Sequence, residues 1–318
     1  MTYGTDPSAR GPRGIVASLH TPFDADDRID EAGLARLVDH VAAAGCRGVL
    51  TTAVAGEVGS LTPEERGRVL RVVGEATAGR LAMIAGVSAP ELRTSVALAR
   101  EAALVGAAMV LWQPPAGLDE AGLRAGLEAL GDAGPGPVML QDLDWYGSGI
   151  AVDVLARLAE RVPALAAVKI ETAPAGPKYS AVRAATGDRL HLSGGWAAMQ
   201  MLDGLARGLD AFMPAGLLPS YARIFELWTT DERAAARTLF ERILPILAFS
   251  NQHIEVSIAF WKGVRVRQGI FATDRFRPPV RPLDPVQAAE AELLGERALA
   301  LDAAMAADAH PASHRASR

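Results

Sequence analysis

The sequence predicts an α/β fold, a (β/α)8 barrel of the TIM type followed by a C-terminal helical extension. Eight short apolar runs rich in β-branched residues alternate with longer amphipathic segments, and successive runs start roughly 20 to 35 residues apart, the spacing of a βα unit. Several runs are apolar on both faces, as expected for parallel strands covered by helices. The predicted strands are Gly14–Leu19, Arg47–Thr52, Leu81–Val87, Ala107–Trp112, Pro137–Gln141, Leu165–Ile170, Leu190–Leu192 and Leu209–Met213.

Helix start and stop signals lie between these runs. Thr62–Glu65 reads Thr-Pro-Glu-Glu, which places a capping threonine, a proline at the first helical position and a glutamate at the third. Ser88–Glu91 is a looser version of the same signal, and Gly45 and Gly106 stand where helices are expected to end. The helix after Ser88 is expected to place four apolar residues on one face, namely Leu92, Val96, Ala99 and Ala103.

From about Leu218 the strand-like runs stop and helical periodicity continues. This pattern predicts an eighth barrel helix and then a small helical extension. The predicted organisation is a disordered N-terminus (1–13), the barrel (14–228), the extension (229–305) and a disordered tail (306–318).

Composition narrows the functional class. Half of the 318 residues are hydrophobic, which suffices for one large core, and the net charge of −5 gives no electrostatic case for nucleic acid or a membrane surface as a partner. No apolar run is long enough to span a membrane. The single cysteine, Cys46, excludes an intrachain disulfide, and the polar N-terminus lacks the apolar core of a secretory signal. We therefore expect a cytoplasmic location.

Lys169 is the first candidate for chemistry. It follows the apolar run Leu165–Val168, so it should lie in an interior strand, at the C-terminal end of the barrel where active sites of this fold are found. Burial favours the neutral amine, which is the form that attacks a ketone to give an imine. The alternative is a lysine that reaches solvent or pairs with Glu171 for structural reasons.

Glu171 is two residues further along the same strand. Residues i and i+2 share a strand face, so both side chains could point inward. A carboxylate beside an amine could move protons, or it could form a purely structural ion pair. Trp145 and Trp196 fall near predicted strand ends, where they could wall a pocket or simply pack.

No metal or cofactor site is predicted. The only pair of histidines at helical spacing, His310 and His314, has Pro311 between them, and no His-x-His occurs. The glycine-rich pieces match neither a phosphate-binding loop nor a dinucleotide fingerprint.

Beyond these residues, several motifs resemble one family over residues 14–282. It is the dihydrodipicolinate synthase / N-acetylneuraminate lyase family of class I aldolases and lyases. The matching pieces are Gly14–Asp24 with its Thr-Pro-Phe, Gly56-Glu57, Ser60–Arg66, Val168–Glu171 and Ser193–Gly195. The resemblance implies that Lys169 forms the imine with a 2-oxo acid, that no cofactor is needed, and that the chain forms a homo-dimer or homo-tetramer.

The chain also departs from the family pattern. Val54 and Ala55 stand where the family usually has two threonines that help to bind the substrate carboxylate, so backbone N–H groups would have to serve there. Gln113 begins the segment that replaces a tyrosine pair after strand 4, and Gln141 replaces the strand 5 tyrosine. The arginine of the lysine-pathway synthases has no clear counterpart, and Tyr146 is the nearest residue.

One branch of the family is more similar. Leu140–Asp142, Lys169–Lys178 and Gly194–Trp196 resemble motifs of the 2-keto-3-deoxy sugar acid dehydratases. The resemblance implies dehydration of such an acid or retro-aldol cleavage to pyruvate, with Glu171 and Lys178 as candidates for proton transfer. The alternative is a catalytically altered barrel that binds a small acid or a partner. The expected catalytic residues are Lys169, Glu171 and Gln141, and the expected substrate-binding residues are Val54, Ala55, Gly56, Glu57, Gln113, Asp142, Lys178, Ser193, Gly194 and Met213.

Overall fold

The computed structural model describes residues 10–309. Eight parallel strands form a closed barrel in chain order, and the first strand pairs with both the second and the eighth. This arrangement confirms the predicted (β/α)8 barrel. The strands are β1 Gly14–Ser18, β2 Gly48–Thr51, β3 Ala82–Gly86, β4 Met109–Trp112, β5 Val138–Asp144, β6 Leu165–Thr172, β7 His191–Gly194 and β8 Ala211–Phe212.

Helices cover the outside of the barrel, one after each strand, and three more follow the eighth. They are α1 Glu31–Ala43, α2 Pro63–Thr77, α3 Leu92–Leu104, α4 Glu120–Ala133, α5 Val152–Arg161, α6 Ala175–Thr186, α7 Met201–Ala206, α8 Leu218–Thr229, α9 Arg233–Ser250, α10 Ile254–Arg267 and α11 Pro285–Ala309. The last helix therefore runs to Ala309, whereas the sequence placed the start of the tail at 306, and residues 1–9 and 310–318 lie outside the described part of the chain.

β5 and β6 extend further than the sequence predicted. The two strands stay paired as far as Asp144 and Thr172, beyond the apolar runs that ended at Gln141 and Ile170. The backbone ladder continues because each strand supplies the other's hydrogen-bond partners, so polar side chains are carried on regular strand at the barrel mouth.

The helix signals were right in part. Thr62 and Glu65 form the reciprocal capping box, and Gly45 and Gly106 each adopt a φ of 79° just after a helix. The predicted cap at Ser88 is wrong, because α3 begins later and the Ser88 hydroxyl instead accepts a hydrogen bond from the backbone N–H at position 113, at 2.7 Å. The predicted apolar face of α3 is also shifted. The buried residues of that helix are Ser95, Leu98, Ala99 and Ala102.

Two separate cores support the barrel. A larger one lies between the strands and the surrounding helices, and a smaller one fills the barrel interior. The interior core closes the barrel below its C-terminal mouth, so the polar side chains above it lie on an apolar base. Its buried members are Val16, Leu50, Ala53, Ile84, Met109, Leu111, Met139, Ala167, Ala211 and Met213.

The extension packs back on the barrel. α9 and α11 lie against α8, and α10 contacts both α9 and the short 3-10 turn Val54–Gly56 that follows β2. Within residues 10–309, no single helix has the length and apolar character to cross a membrane; α9 and α10 reach them only when taken together, and they are bent by 116°.

A buried ion pair fastens the extension to the barrel mouth, and we call its residues the Glu57 clasp. Glu57, after β2, pairs with the ammonium of Lys262 on α10 and accepts a hydrogen bond from the backbone N–H of Arg277 at 2.9 Å. The ammonium also donates to the carbonyl of Arg275 at 2.7 Å and lies 4.4 Å from the centre of the Phe23 ring. Burial lowers the pKa of Lys262 to about 8, against the opposing effect of the Glu57 charge.

A second polar cluster lies where α1, α8, α10 and α11 meet. Arg265 is buried, with its guanidinium contacting His40 at 3.1 Å and Gln268 at 2.6 Å. Asp302 accepts a hydrogen bond from the Ser220 hydroxyl at 3.1 Å. Burial raises the pKa of Asp302 to about 6, although the Arg265 charge works in the other direction.

We predict that Glu57→Ala destabilises the fold by about 3–5 kcal/mol, because it leaves a buried ammonium without its counter-charge. Urea unfolding followed by tryptophan fluorescence measures the loss. Glu255→Gln is the matched control, since its partner Arg281 is 80% exposed and such a pair contributes at most about 1 kcal/mol. Equal losses in the two variants would contradict the clasp as the main fastening.

We predict that Asp302→Asn stabilises the protein above about pH 6 and has little effect near pH 4. The folded pKa of about 6 exceeds the ordinary value of 3.8, so the stability that this carboxyl contributes is lost as the pH rises through about 6. A shift of about two pKa units corresponds to about 3 kcal/mol, which is the upper limit of the gain. Urea unfolding at pH 4 and pH 8 tests it, with the exposed Glu290→Gln on the same helix as control. A gain that does not depend on pH would contradict the assignment.

Candidate active site

A cavity of about 300 Å³ opens at the C-terminal mouth of the barrel. Strand residues form its base, loops after β2, β5, β7 and β8 form its sides, and the α9–α10 turn with the first turn of α10 completes the wall. From the strands and loops come Ser18, Ala53, Val54, Ala55, Gln141, Leu143, Trp145, Tyr146, Lys169, Glu171, Trp196, Met213 and Ala215, and from the extension come Asn251, Gln252, His253, Ile254 and Ser257.

Lys169 and Glu171 form the polar centre of the cavity. Both side chains are about nine-tenths buried, and the ammonium nitrogen lies 2.9 Å from Oε2 of the carboxylate. The same oxygen accepts a hydrogen bond from the Gln141 amide at 2.6 Å, and Oε1 accepts one from the backbone N–H of Trp196 at 2.8 Å. Three neighbouring strands or their loops therefore converge on one carboxylate.

These contacts determine the charge of Glu171. Burial alone would raise its pKa, but the charge of Lys169, the N–H of Trp196 and the Gln141 amide together outweigh burial and hold the pKa of this carboxyl below its usual range. The side chain is therefore an ionised carboxylate at neutral pH, able to accept a proton.

The loop after β7 is shaped around that carboxylate. A Cβ atom at Gly195 would overlap the carboxyl group of Glu171, so only glycine allows this approach. Trp196 follows with a φ of 54°, which turns its N–H towards Oε1. Its ring packs edge-on against Trp145, with centroids 5.4 Å apart, and both tryptophans line the cavity.

Several of the predicted site residues meet at this cavity. The catalytic set Lys169, Glu171 and Gln141 is brought together, and Val54, Ala55 and Met213 also line the walls. Within the turn Val54–Gly56, the first internal hydrogen bond is donated by the N–H of Gly56 to the carbonyl of Ala53 at 2.9 Å. The N–H groups of Val54 and Ala55 precede that bond, as at any helical start.

Asp142 and Lys178 lie elsewhere. Asp142 follows Gln141 in β5 and so faces away from the barrel interior. It forms a buried ion pair with Lys178 on α6 at 2.5 Å and accepts a hydrogen bond from the N–H of Ile150 at 2.9 Å. Burial raises the pKa of Asp142, and the Lys178 contact opposes that rise. The pair fastens the β5–α5 loop to α6 and does not line the cavity.

The other predicted substrate-binding residues also lie outside the cavity lining. Glu57 is occupied in the clasp, and a Cβ at Gly56 would come within 2.9 Å of the Leu19 carbonyl. The Ser193 hydroxyl contacts the Met139 sulfur inside the barrel at 3.9 Å. Gly194 packs against the Phe212 ring, and Gln113 is held by its backbone N–H to Ser88. Their part in binding stays a prediction.

The sequence did not predict the extension's contribution. Asn251, Gln252, His253 and Ser257 line the cavity from the α9–α10 turn and the first turn of α10. The only signal was a short polar run between two apolar helices, which is equally typical of an exposed loop. Ser18 was also missed, because a serine at a strand end carries no distinguishing pattern.

The structure also gives the environment of each lysine. The chain has only three, Lys169, Lys178 and Lys262, and each is buried and paired with one carboxylate. Only Lys169 lines the cavity. Within residues 10–309, no cluster of three or more His, Cys, Asp or Glu side chains is arranged to hold a metal ion.

Comparisons with known proteins agree with this architecture. Residues 11–294 match the model of the dihydrodipicolinate synthetase family. An L-2-keto-3-deoxyarabonate dehydratase of Azospirillum brasilense is 29% identical over 302 residues, which cover 92% of this chain and 96% of that protein. A probable 5-dehydro-4-deoxyglucarate dehydratase of Methylobacterium radiotolerans is 31% identical over 303 residues, covering 89% and 95%.

A solved structure extends the likeness to three dimensions. The crystal structure of dihydrodipicolinate synthase from Rhodopseudomonas palustris superposes with a TM-score of 0.83 at 25% identity, covering 91% of this chain and 98% of that one. The family match spans nearly the whole described chain, and the relatives are lyases. The chain is a lyase that belongs to the dihydrodipicolinate synthetase family.

Proposed function

We propose that this lyase dehydrates a 2-keto-3-deoxy sugar acid through an imine on Lys169. The observation that carries the proposal is the contact between the Lys169 ammonium and the ionised Glu171 carboxylate, 2.9 Å apart in the base of a small cavity. This pairing combines a nucleophilic amine with a base that can accept its proton.

The first step forms the imine. Glu171 accepts a proton from Lys169, and the amine attacks the C2 carbonyl carbon of the substrate. One proton passes from the nitrogen to the C2 oxygen, Glu171 returns the proton it accepted, and the oxygen leaves as water. The protonated imine that remains withdraws electrons from C3 and makes its hydrogens acidic, and Glu171 is again an ionised carboxylate.

The second step is the elimination. Glu171 removes a C3 proton, and the electron pair passes into the imine to give an enamine. The enamine returns the pair to form the C3–C4 double bond as the C4–O bond breaks, and the departing hydroxide takes the proton held by Glu171 and leaves as water. Hydrolysis of the unsaturated imine then releases the product and the Lys169 amine.

Position favours dehydration over retro-aldol cleavage. In the imine, C3 is two bonds from the lysine nitrogen, whereas the C4 hydroxyl oxygen is four bonds away. A carboxylate oxygen at hydrogen-bond distance from that nitrogen is therefore placed to reach C3 hydrogens first. Gln141, whose amide cannot transfer a proton, supports the same single-base chemistry. Aldol cleavage would need a base at the C4 hydroxyl instead.

The substrate carboxylate has a natural position beside the turn Val54–Gly56. Val54 and Ala55 line the cavity, and their N–H groups precede the first hydrogen bond of the turn. Backbone N–H groups can bind a carboxylate without the hydroxyl side chains of other family members. C2 would then lie between this turn and Lys169.

We predict that Lys169→Ala and Lys169→Arg abolish imine formation and lower turnover at least about 1,000-fold, because the nucleophile is gone. The measurement is incubation with pyruvate or a 2-keto-3-deoxy sugar acid, reduction with cyanoborohydride and peptide mass mapping. With three lysines in the chain, an adduct can be assigned without ambiguity. Lys178→Arg is the control, since it keeps the charge pair with Asp142 outside the cavity.

An adduct on Lys169 that keeps all the carbons of the sugar acid but has lost one further molecule of water supports the dehydratase. An adduct of pyruvate obtained from a longer sugar acid would establish retro-aldol cleavage. No adduct on Lys169 with any 2-oxo acid, in a folded protein, would reject imine chemistry altogether.

We predict that Gln141→Leu shifts the acidic limb of the pH–rate profile to higher pH. The substitution removes the 2.6 Å hydrogen bond to Glu171, which favours the ionised carboxylate, so the carboxyl should protonate at a higher pH than in the wild type. The rate of pyruvate adduct formation between pH 4 and pH 9 gives the profile. Gln200→Leu, exposed at the start of α7 and outside the cavity lining, should leave it unchanged. Identical limbs in all three proteins would show that Glu171 is not the titrating base.

A further inference from the structure

We infer that the cavity selects a 2-keto-3-deoxy mono-acid whose far end is hydroxylated and uncharged, and that Asn251 and Ser257 of the extension read that end. This inference rests on the proposed function and names its substrate class. It concerns the wall opposite Lys169, which belongs to the extension and not to the barrel strands.

The wall is held in place. Ser257 lies in the first turn of α10, and Lys262 of the clasp is on the same helix, little more than one turn further on. The helix also packs against the turn Val54–Gly56, beside which the substrate carboxylate is placed. The two ends of a bound acid would therefore contact elements that are fixed to each other.

Asn251 has an unused donor on this wall. Its side-chain oxygen accepts a hydrogen bond from the Ser250 hydroxyl at 3.2 Å, whereas its amide nitrogen is shielded from solvent and has no partner among the described residues. A buried donor without a partner is unfavourable, so an acceptor on a ligand would gain a hydrogen bond here without displacing an existing one.

Ser257 adds a group that can both donate and accept. The residue is only 7% exposed and lines the cavity. Its backbone N–H is already used, donating to the carbonyl of His253 at 3.0 Å. A hydroxyl facing a hydroxyl can adopt either role, which suits a polyol chain whose oxygens do the same.

The charges around the cavity argue against a second carboxylate. Among the described residues that line it, Lys169 and Glu171 neutralise each other, His253 is the only further basic side chain, and no arginine is present. The His253 Nδ1 accepts a hydrogen bond from the N–H of Glu255 at 3.4 Å, so this nitrogen is not a donor to a ligand. A distal carboxylate would lose its hydration without gaining a cation.

The size of the cavity agrees with this class. A volume of about 300 Å³ lies at the lower end of the range for small-molecule sites. It suits a short acid of five or six carbons, of which one end is taken up by Lys169 and the Val54–Gly56 turn.

A competition experiment tests the inference without depending on turnover. The protein is mixed with equal concentrations of 2-keto-3-deoxygluconate and 5-dehydro-4-deoxyglucarate, which carry the same 2-oxo end but finish in a hydroxymethyl group and a carboxylate. Cyanoborohydride traps both imines on Lys169, and mass spectrometry gives their ratio. We expect the mono-acid adduct to exceed the di-acid adduct at least about 10-fold.

Variants of the wall should change that ratio. Ser257→Arg places a guanidinium there and should shift the ratio towards the di-acid at least about 10-fold, and Asn251→Leu should lower trapping of the mono-acid. Pyruvate, which has no distal hydroxyl, gives the reference rate for imine formation, and a merely structural defect would lower all three rates together. Glu255→Gln, on the same helix but outside the lining, is the matched control.

The outcomes separate the two proposals. A Lys169 adduct with pyruvate, together with a mono-acid to di-acid ratio near one or below it, overturns the inference and leaves the dehydratase proposal standing. A mono-acid to di-acid ratio that Ser257→Arg leaves unchanged also overturns the role of this wall. Absence of an adduct with pyruvate and with both sugar acids rejects the proposed function, and the inference with it.

Discussion

A buried ammonium needs a counter-charge beside it, and this requirement determines which elements are held together near the mouth of the barrel. Each lysine of the chain is buried against one carboxylate, in the pairs Lys169–Glu171, Lys178–Asp142 and Lys262–Glu57. Removing one partner from such a pair is far more costly than breaking a surface ion pair. Each pair therefore fixes the elements that supply it, and only Lys169–Glu171 lines the cavity.

The three lysine–carboxylate pairs have different roles. Lys262–Glu57 fastens the extension to the barrel, and Lys178–Asp142 fastens the β5–α5 loop to α6. Lys169–Glu171 alone faces the cavity, where its carboxylate is held ionised by Gln141 and by the Trp196 N–H. The two fastening pairs hold the β5–α5 loop and the extension in position near the pair that lines the cavity. The site is thus shared between barrel and extension, with the amine on one side and polar amide and hydroxyl groups on the other.

Much of this could be predicted from the sequence, and the limits have physical causes. The strand periodicity and the glycine stops are local signals, so the barrel and the position of Lys169 on an interior strand at its mouth followed from them. Ser88 failed as a cap because its hydroxyl is used by a neighbouring loop. Asp142 follows Gln141 directly, so one of the two had to face away from the interior, but the sequence alone did not say which.

The part of the cavity wall that the extension forms could not be predicted from the sequence, for a different reason. Asn251 and Ser257 line the same cavity as Lys169, and the clasp that fixes α10 there joins residues more than 200 positions apart in the chain. Such a long-range contact produces no periodic pattern in the sequence of either segment.

The burial of all three lysines has a consequence for the outer surface. Its positive charge is carried by arginine, whose guanidinium does not condense with simple 2-oxo acids as an amine does. For an enzyme of the proposed reaction, which works among reactive carbonyl compounds, this means that the exterior offers no side-chain amine for unwanted glycation. Under the proposed mechanism, covalent capture of a carbonyl by a lysine would be confined to Lys169, where hydrolysis of the imine reverses it.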